Sequence, residues 1–575
     1  MTQEKIKQIL LENEVLNEKE FKKFSQEAEK KNEKIQNYLI EKKVLSSSPF
    51  YKLVAQHFNL PFIDLQEKTI DGKTLSAIPE KTASVHKIIA FEKDAKSIKM
   101  ATSNPNQLEI FEFIKKKTGL KPDIYVTTPE SINDKLKQYH KKLKNELNFF
   151  QKDKEGEDGE SESGLRKKGE QVSTINLVNK LLEHAIFQEA SDIHIEPEEN
   201  KTVVRYRVDG ILHDVMTLPA GTHNGIVARI KILANLKIDE HRMPQDGRFK
   251  IYNKKYKISF RVSIIPTFNG EKIVMRLLNE DAKILSLEEL GFQEKALEKL
   301  KRNVKKPHGD ILVTGPTGSG KTTTLYTILN ILNTPEVNIS TIEDPIEYHI
   351  ERINQSQVNP KIGYTFAKGL RAFLRQDPDI IMVGEIRDEE TAQIATHAAM
   401  TGHLVLSTLH TNDTISTIFR LNNMGIPFYL ISGTLNIIIA QGLVRKICPN
   451  CIQSYNLNKK AAEDLDKQFN SKEIIETMQK EGVISKDQKK LSDLLFYKGK
   501  GCKQCNQTGY KGRIGIYEIL ENTEDLANLI LEQASKKELK EQARKDGLIQ
   551  MAEDAFMKAR DGITTIDEII RVTRR

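Results

Sequence analysis

The 575-residue chain has no tryptophan, only four cysteines and no long uninterrupted apolar run. Each scarcity excludes something. Single-stranded nucleic acid is gripped by stacking aromatics set in a basic groove. With Trp absent and Lys, Glu and Asp interleaved almost everywhere, no such stripe can be drawn. The net charge of +8 is small beside 88 basic and 80 acidic residues, so it selects no partner class by itself. Met1–Glu20 is polar and charged, without the apolar core of a secretory signal. The longest uncharged window, Leu421–Val444, carries Asn422, Asn423, Ser432, Gly433, Thr434, Asn436 and Gln441. That is too polar for a hydrocarbon core, and the window reads instead as a buried helix of a soluble domain. The expectation is a cytoplasmic protein whose membrane contact is peripheral.

The length implies several domains. In the first, expected over 1–60, Ile9-Leu10-Leu11-Glu12, Val15-Leu16 and Phe21 recur at one constant offset as Tyr38-Leu39-Ile40-Glu41, Val44-Leu45 and Phe50. Such a duplication predicts paired helical hairpins. A small α/β unit follows over 61–150, then a charged Gly/Ser-rich stretch, 151–172, expected to be a flexible linker. Residues 173–281 form a second α/β segment. Its strands include Thr202–Val208 and Ile258–Ile264, both alternating in character. A phosphate-loop domain is placed at 282–440, a cysteine-bearing insert at 441–510 and a helical tail at 511–575, where Ser535/Glu538 and Thr565/Glu568 form capping boxes.

The strongest motif is Gly315-Pro316-Thr317-Gly318-Ser319-Gly320-Lys321-Thr322. It follows the apolar run Ile311–Val313 and opens a helix at Thr323. Its glycines let backbone N–H groups curl around a phosphate chain, and the helix terminus adds partial positive charge. Lys321 supplies a full charge for the outer phosphates, and the Thr322 hydroxyl can hold Mg²⁺. Residues 315–323 are therefore the expected ATP-binding loop.

Three later blocks are spaced as successive strands of one sheet. Ile339–Ile342 ends in Glu343, Asp344 and Glu347; Ile380–Val383 ends at Gly384-Glu385; Leu404–Ser407 is flanked by His403 and His410. Strand ends are where an α/β sheet presents its ligand groups. With glycine where a second acidic motif has Asp, Glu385 is expected to reach the metal through water. Taken singly, a histidine at a strand end is more often structural than catalytic.

In that order the blocks resemble the secretion ATPases of the type II secretion and type IV pilus class. The resemblance runs from Ser173 to Arg575 and includes Ser191-Asp-Ile-His-Ile-Glu-Pro197, Arg205-Tyr-Arg-Val-Asp-Gly210 and Pro244-Gln-Asp-Gly-Arg248. Arg371–Asp379, Gly509–Glu518 and the duplicated N-terminal region point within the class to the pilus assembly ATPases that drive fibre extension. The resemblance implies a RecA-like motor after a PAS-like α/β domain, working as a homo-hexamer at the inner membrane beside a pilus platform protein and associated assembly proteins. It implies that Glu347 activates water, Glu385 organises Mg²⁺, and His403 and His410 sense the γ-phosphate. Arg207, Arg229, Arg242 and Arg248 are the implied phosphate contacts, without a choice among them. The alternatives are a type II secretion motor, a nucleic-acid-translocating hexamer and an inactive nucleotide-binding scaffold. The presence of Lys321, Thr322, Glu347 and Glu385 argues against the last.

Two departures stand out. Gly442 follows Ala440-Gln441 where the family usually has Arg, although Arg445 lies near. Lys7 and Gln36 occupy the positions of glycines in related cyclic di-GMP-binding repeats, so that ligand is not expected.

All four cysteines fall in two pairs, Cys448-Pro-Asn-Cys451 and Cys502-Lys-Gln-Cys505. Two such knuckles supply four thiolates to one structural Zn²⁺. A cytoplasmic location argues against disulfides. The family resemblance points the same way.

Overall fold

The structure is a computed structural model. It describes residues 3–573 except 14, 31–34, 43, 66–67, 69, 76, 79–81, 84–85, 95–96, 137–162, 253–256 and 281–283. The chain divides into two compact units, 1–188 with 218–229, and 189–217 with 230–575. Among the described residues no helix is long and apolar enough to cross a membrane.

In the N-terminal unit each sequence copy forms two helices, Gln3–Glu12 with Glu18–Lys30 and Ile35–Glu41 with Ser47–His57. Ile9, Leu10, Leu16 and Phe21 are buried in one cluster with Tyr38, Leu39 and Phe50. Next come β1 (Ile88–Lys93), β2 (Ser97–Thr102) and β3 (Lys121–Val126), a sheet in which β2 is antiparallel to β1 and parallel to β3. The crossover helix between the parallel strands, Leu108–Thr118, ends at Gly119, whose φ of 70° suits a residue without Cβ.

Ser163–Phe187 is a 25-residue helix, so residues 163–172 are not the linker that composition suggested, and 151–162 lie outside the described residues. Leu177, Val178, Leu181, Leu182 and Ala185 are buried on that helix. A helix nucleated by such a packed stripe propagates cheaply back along the chain.

The second unit opens with a six-stranded antiparallel sheet of β4 (Asp192–Pro197), β5 (Lys201–Val208), β6 (Ile211–Pro219), β7 (Gln245–Tyr252), β8 (Lys257–Thr267) and β9 (Gly270–Asn279), in the order β6-β5-β4-β9-β8-β7. Alternation sorts its faces. Ile193, Ile195, Val204, Tyr206, Phe260, Val262 and Met275 are buried, while the intervening His194, Arg205 and Arg261 are polar.

The larger sheet contains β10 (Gly309–Thr314), β11 (Ile339–Glu343), β12 (Ile353–Gln357), β13 (Ile380–Val383), β14 (Leu404–Leu409), β15 (Leu435–Ile447) and, beyond the insert, β18 (Tyr510–Glu521). Their order is β12-β11-β13-β14-β10-β15-β18, with all neighbours parallel except the last pair. Alternate residues of one strand enter different cores: Ile311 and Val313 join one cluster and Leu312 the other. Burial on both faces explains why these strands read as unbroken apolar runs.

Two expected boundaries move. The ATPase sheet runs past residue 440 to Ile447 and recovers Tyr510–Glu521 as its edge strand, so the insert proper lies between these strands. It carries a two-stranded ribbon, β16 (Ile452–Asn456) with β17 (Leu495–Gly499). The window 421–444 is not one helix, because the helix Phe428–Thr434 gives way to β15 at Leu435. Leu435 and the β-branched run Ile437–Ile439 all pair or pack within the sheet, which favours strand over helix.

Candidate active site

The C-terminal ends of the parallel strands bring the motif residues together. After β10 the loop turns through Gly315 at φ 143°, where a Cβ would lie only 2.3 Å from the Gln441 carbonyl oxygen. Gly320, at φ 88°, caps the helix Lys321–Leu332. Gln441 braces this loop from β15: its Nε2 donates to Ser319 O at 2.6 Å and its Oε1 accepts from Thr324 Oγ1 at 2.8 Å. Lys321 Nζ donates to Gly315 O at 2.9 Å and Pro316 O at 3.2 Å. Burial draws the Lys321 ammonium below its ordinary range, and nearby Glu385 works against that. Thr317, Gly318 and Thr323 are exposed, and Thr322 is half-buried at the helix start.

Glu385 follows β13 and is held by Arg387 at 2.5 Å and by His410 Nε2 at 3.3 Å. Burial would raise its carboxyl, but these partners outweigh it and keep the group below the usual carboxylate range. An ionised carboxylate facing the phosphate loop, with the Thr322 hydroxyl at the loop's end, is a hard oxygen donor set suited to Mg²⁺. Glu347 Oε2 is a buried oxygen without a hydrogen-bond partner. Arg261 Nη2 lies 3.8 Å from it.

The two histidines separate. His410 lies after the C-terminal end of β14, beside Glu385. His403 precedes β14, with Nδ1 3.0 Å from Ala398 O, and its own carbonyl accepts from Gly309 N at 3.1 Å. A strand of this length spans roughly 20 Å, so His403 belongs to the end of the sheet opposite this chain's phosphate loop, away from the γ-phosphate role expected of it there. Flanking one strand put the pair together in sequence and apart in space.

The arginines form a row. In register across five strands stand Arg248, Arg261, Arg276, Asp192 and Arg207. Directly paired residues of antiparallel strands share a face. Four guanidiniums therefore line one stripe with a single acid among them. Arg276 Nε donates to Asp192 at 3.0 Å, and Arg207 lies 3.5 Å from the same carboxylate. Like charges placed opposite one another are destabilising unless an anion answers them. Arg242 is exposed on the loop before β7. Arg229 lies in the 218–229 stretch that clusters with the N-terminal unit, and its buried Nε has no hydrogen-bond partner.

Gly442 has no room for a side chain: a Cβ would meet Val572, Ile516 and Met551 at 2.9–3.3 Å. Arg445 does not take over the missing arginine's place. It binds Glu568 at 2.8 Å, lies 3.9 Å over the Tyr510 ring, and so fastens the C-terminal helix Ile566–Thr573.

The sulfurs of Cys448, Cys451, Cys502 and Cys505 all lie within 4.8 Å of one another, with contacts of 3.7–3.9 Å among them. Four thiolates about 2.3 Å from a tetrahedral zinc would stand about 3.8 Å apart. The donor set fits zinc and leaves no open position. Gly509 N and Cys502 N each donate to Cys505 Sγ at 3.2 Å.

With the loop, the acids, the arginine row and the thiolate cluster in place, comparison becomes decisive. Residues 167–571 match the family model described as Type II/IV secretion system protein. The chain belongs to that family. It is 38% identical over 570 residues, 98% of both chains, to the type IV pilus assembly ATPase PilB of Myxococcus xanthus. It is 44% identical over 410 residues, 71% of this chain and 77% of the other, to the type II secretion system protein E of Pseudomonas aeruginosa. The Legionella pneumophila ATPase DotB, 22% identical, has the same fold over 69% of this chain and 95% of its own, with a TM-score of 0.50. Residues 58–146 match the MshEN domain.

For an ATPase of this family the site contains more than the motifs foretold. Arg261 and Arg276 escaped the sequence reading although Arg261 sits within a strand recognised by its alternation. The missing signal was cross-strand register, which alone shows that they extend the row containing Arg207 and Arg248. Gln441 was legible as a family position but not as a brace of the phosphate loop.

Proposed function

We propose that the chain is the motor that powers assembly of a type IV pilus-class fibre by hydrolysing Mg²⁺-ATP. The full-length match to a pilus assembly ATPase carries this reading, because it extends through the N-terminal region. The higher identity to a type II secretion ATPase over a shorter span supports the alternative of a secretion motor.

In the proposed reaction residues 315–323 cradle the phosphates and Lys321 neutralises the outer ones. Thr322 and Glu385 would hold Mg²⁺, which supplies charge neutralisation on the phosphate oxygens when bound. Glu347, whose buried Oε2 has no hydrogen-bond partner, orients and deprotonates the attacking water. His410 steadies Glu385. The arginine row meets the developing phosphoryl charge, in the same subunit or in a neighbour of a homo-hexamer. The four cysteines hold a structural zinc.

The proposed location is the cytoplasmic face of the inner membrane, against a platform protein and without nucleic acid. Cyclic di-GMP is not a proposed ligand. That choice rests on the repeats alone, where Lys7 stands at a glycine position and is engaged with Glu18 at 3.0 Å.

The test is complementation. A strain lacking its own assembly motor should recover surface fibres with this chain but not with Lys321→Ala, counted by electron microscopy. Rescue of protein secretion without fibres would favour the secretion reading.

A further inference from the structure

Tyr326 is wholly buried in the helix that starts at Lys321. Its hydroxyl donates to Glu343 Oε2, and it accepts from the backbone N–H of Glu347 at 3.3 Å and from Gln355 Nε2 at 3.4 Å. Glu343, the last residue of β11, is 2% exposed. Its other oxygen accepts from Thr341 Oγ1 at 2.6 Å and Gln355 Nε2 at 3.2 Å. Gln355 Nε2 also donates to Tyr348 O at 3.1 Å, and the rings of Tyr326 and Tyr348 meet edge to face at 4.6 Å. Glu343 therefore does not face the phosphates, despite standing first in the acidic block. It is the internal anchor of a buried polar cluster, and such a cluster is rigid when its members are satisfied.

The phenol has a task that few groups could perform. One oxygen must donate to a carboxylate and accept from a main-chain amide, which Tyr can do and Phe cannot. Five residues separate Tyr326 from Lys321, about 7.5 Å along one rigid helix. The backbone carrying Glu347 is thus tied to the element that begins at the phosphate-binding lysine.

We propose that Tyr326 is a positioning residue for Glu347, holding the water-activating carboxylate in one frame with the phosphate loop through Glu343. This rests on the reading of Glu347 as the group that acts on water. A misplacement of about 1 Å can cost on the order of 10²-fold in rate.

The experiment compares Tyr326→Phe, Glu347→Gln and the double variant in the full chain with Mg²⁺-ATP. Tyr326→Phe is expected to lower kcat about tenfold while KM and nucleotide Kd change by less than about threefold. In the Glu347→Gln background it should cost nothing further, because the group it positions has already lost its function. Slow Glu347→Gln with Tyr326→Phe within twofold of the parent would overturn the proposal and leave Glu347's role intact. Additive losses would also overturn it, by giving Tyr326 a contribution separate from Glu347. Fast Glu347→Gln would remove the reading beneath it. Should Tyr326→Phe fail to fold, Gln355→Met removes amide contacts to the same cluster from its partly exposed side. The same kcat-selective loss is then expected, and an unchanged kcat, or a loss confined to KM, would overturn the proposal.

Discussion

Arg261 Nη2 on β8 and Glu347 Oε2 in the loop between β11 and β12 face each other at 3.8 Å. Burial draws the Arg261 guanidinium below its ordinary range, while Glu347 and Asp344 act in the opposite direction. In the proposed reaction this cation, 3.8 Å from Glu347, would serve either the base or the phosphoryl group.

Arg261→Ala should lower ATP hydrolysis by about 10²-fold or more, since an added arginine in phosphoryl transfer is worth about 10³-fold or more. Arg261→Lys should recover little, because an ammonium cannot reproduce the planar fork. Phosphate-release kinetics, alongside circular dichroism to confirm folding, decide this. Parent-like turnover in Arg261→Ala would exclude the residue from the reaction.

Glu347→Gln is expected to bind ATP as tightly as the parent while hydrolysis falls by ~10²-fold or more, because the base is lost and the cradle survives. Lys321→Ala should instead weaken binding itself. Fluorescent-nucleotide titration beside a turnover assay separates the two outcomes.

Metal analysis of the purified, reduced protein should find about one zinc per chain, held by two knuckles in one four-coordinate site. Cys448→Ser should loosen the insert between β15 and β18, read as proteolytic sensitivity there, while nucleotide binding persists, because β15 pairs with β10 up to Ala440, ahead of the insert. Zinc-free protein would remove the structural-site reading.

Asp310, the second residue of β10, is buried, and burial pushes its carboxyl up to about 7 against a hydrogen bond from Thr434. Between its ordinary value of 3.8 and about 7 the folded chain keeps a proton that the unfolded chain has released. The stability tied to this group is therefore complete below about pH 4 and is lost as pH rises through 7. Asp310→Asn should melt above the parent at pH 8, with the gap closing toward pH 4 in a thermal series.

The residues that do chemistry by local pattern were readable along the chain. Gly315–Thr322 is legible because a phosphate loop is short-range geometry: glycine spacing, a helix start, a lysine. The four cysteines are legible for the same reason, and the spacing of the apolar runs in β11, β13 and β14 announced successive strands of one sheet. What depended on register or return of the chain was not. His403 and His410 are seven positions apart yet at opposite ends of a strand, because an extended backbone advances about 3.3 Å per residue. Arg261 joins Arg207 and Arg248 only when antiparallel strands are paired residue by residue. Residues 511–521 are expected in a helical tail because nothing local says that they pair with β15 across the intervening insert. Local chemistry determined which groups could bind ATP and metal; long-range hydrogen bonding decided which of them meet.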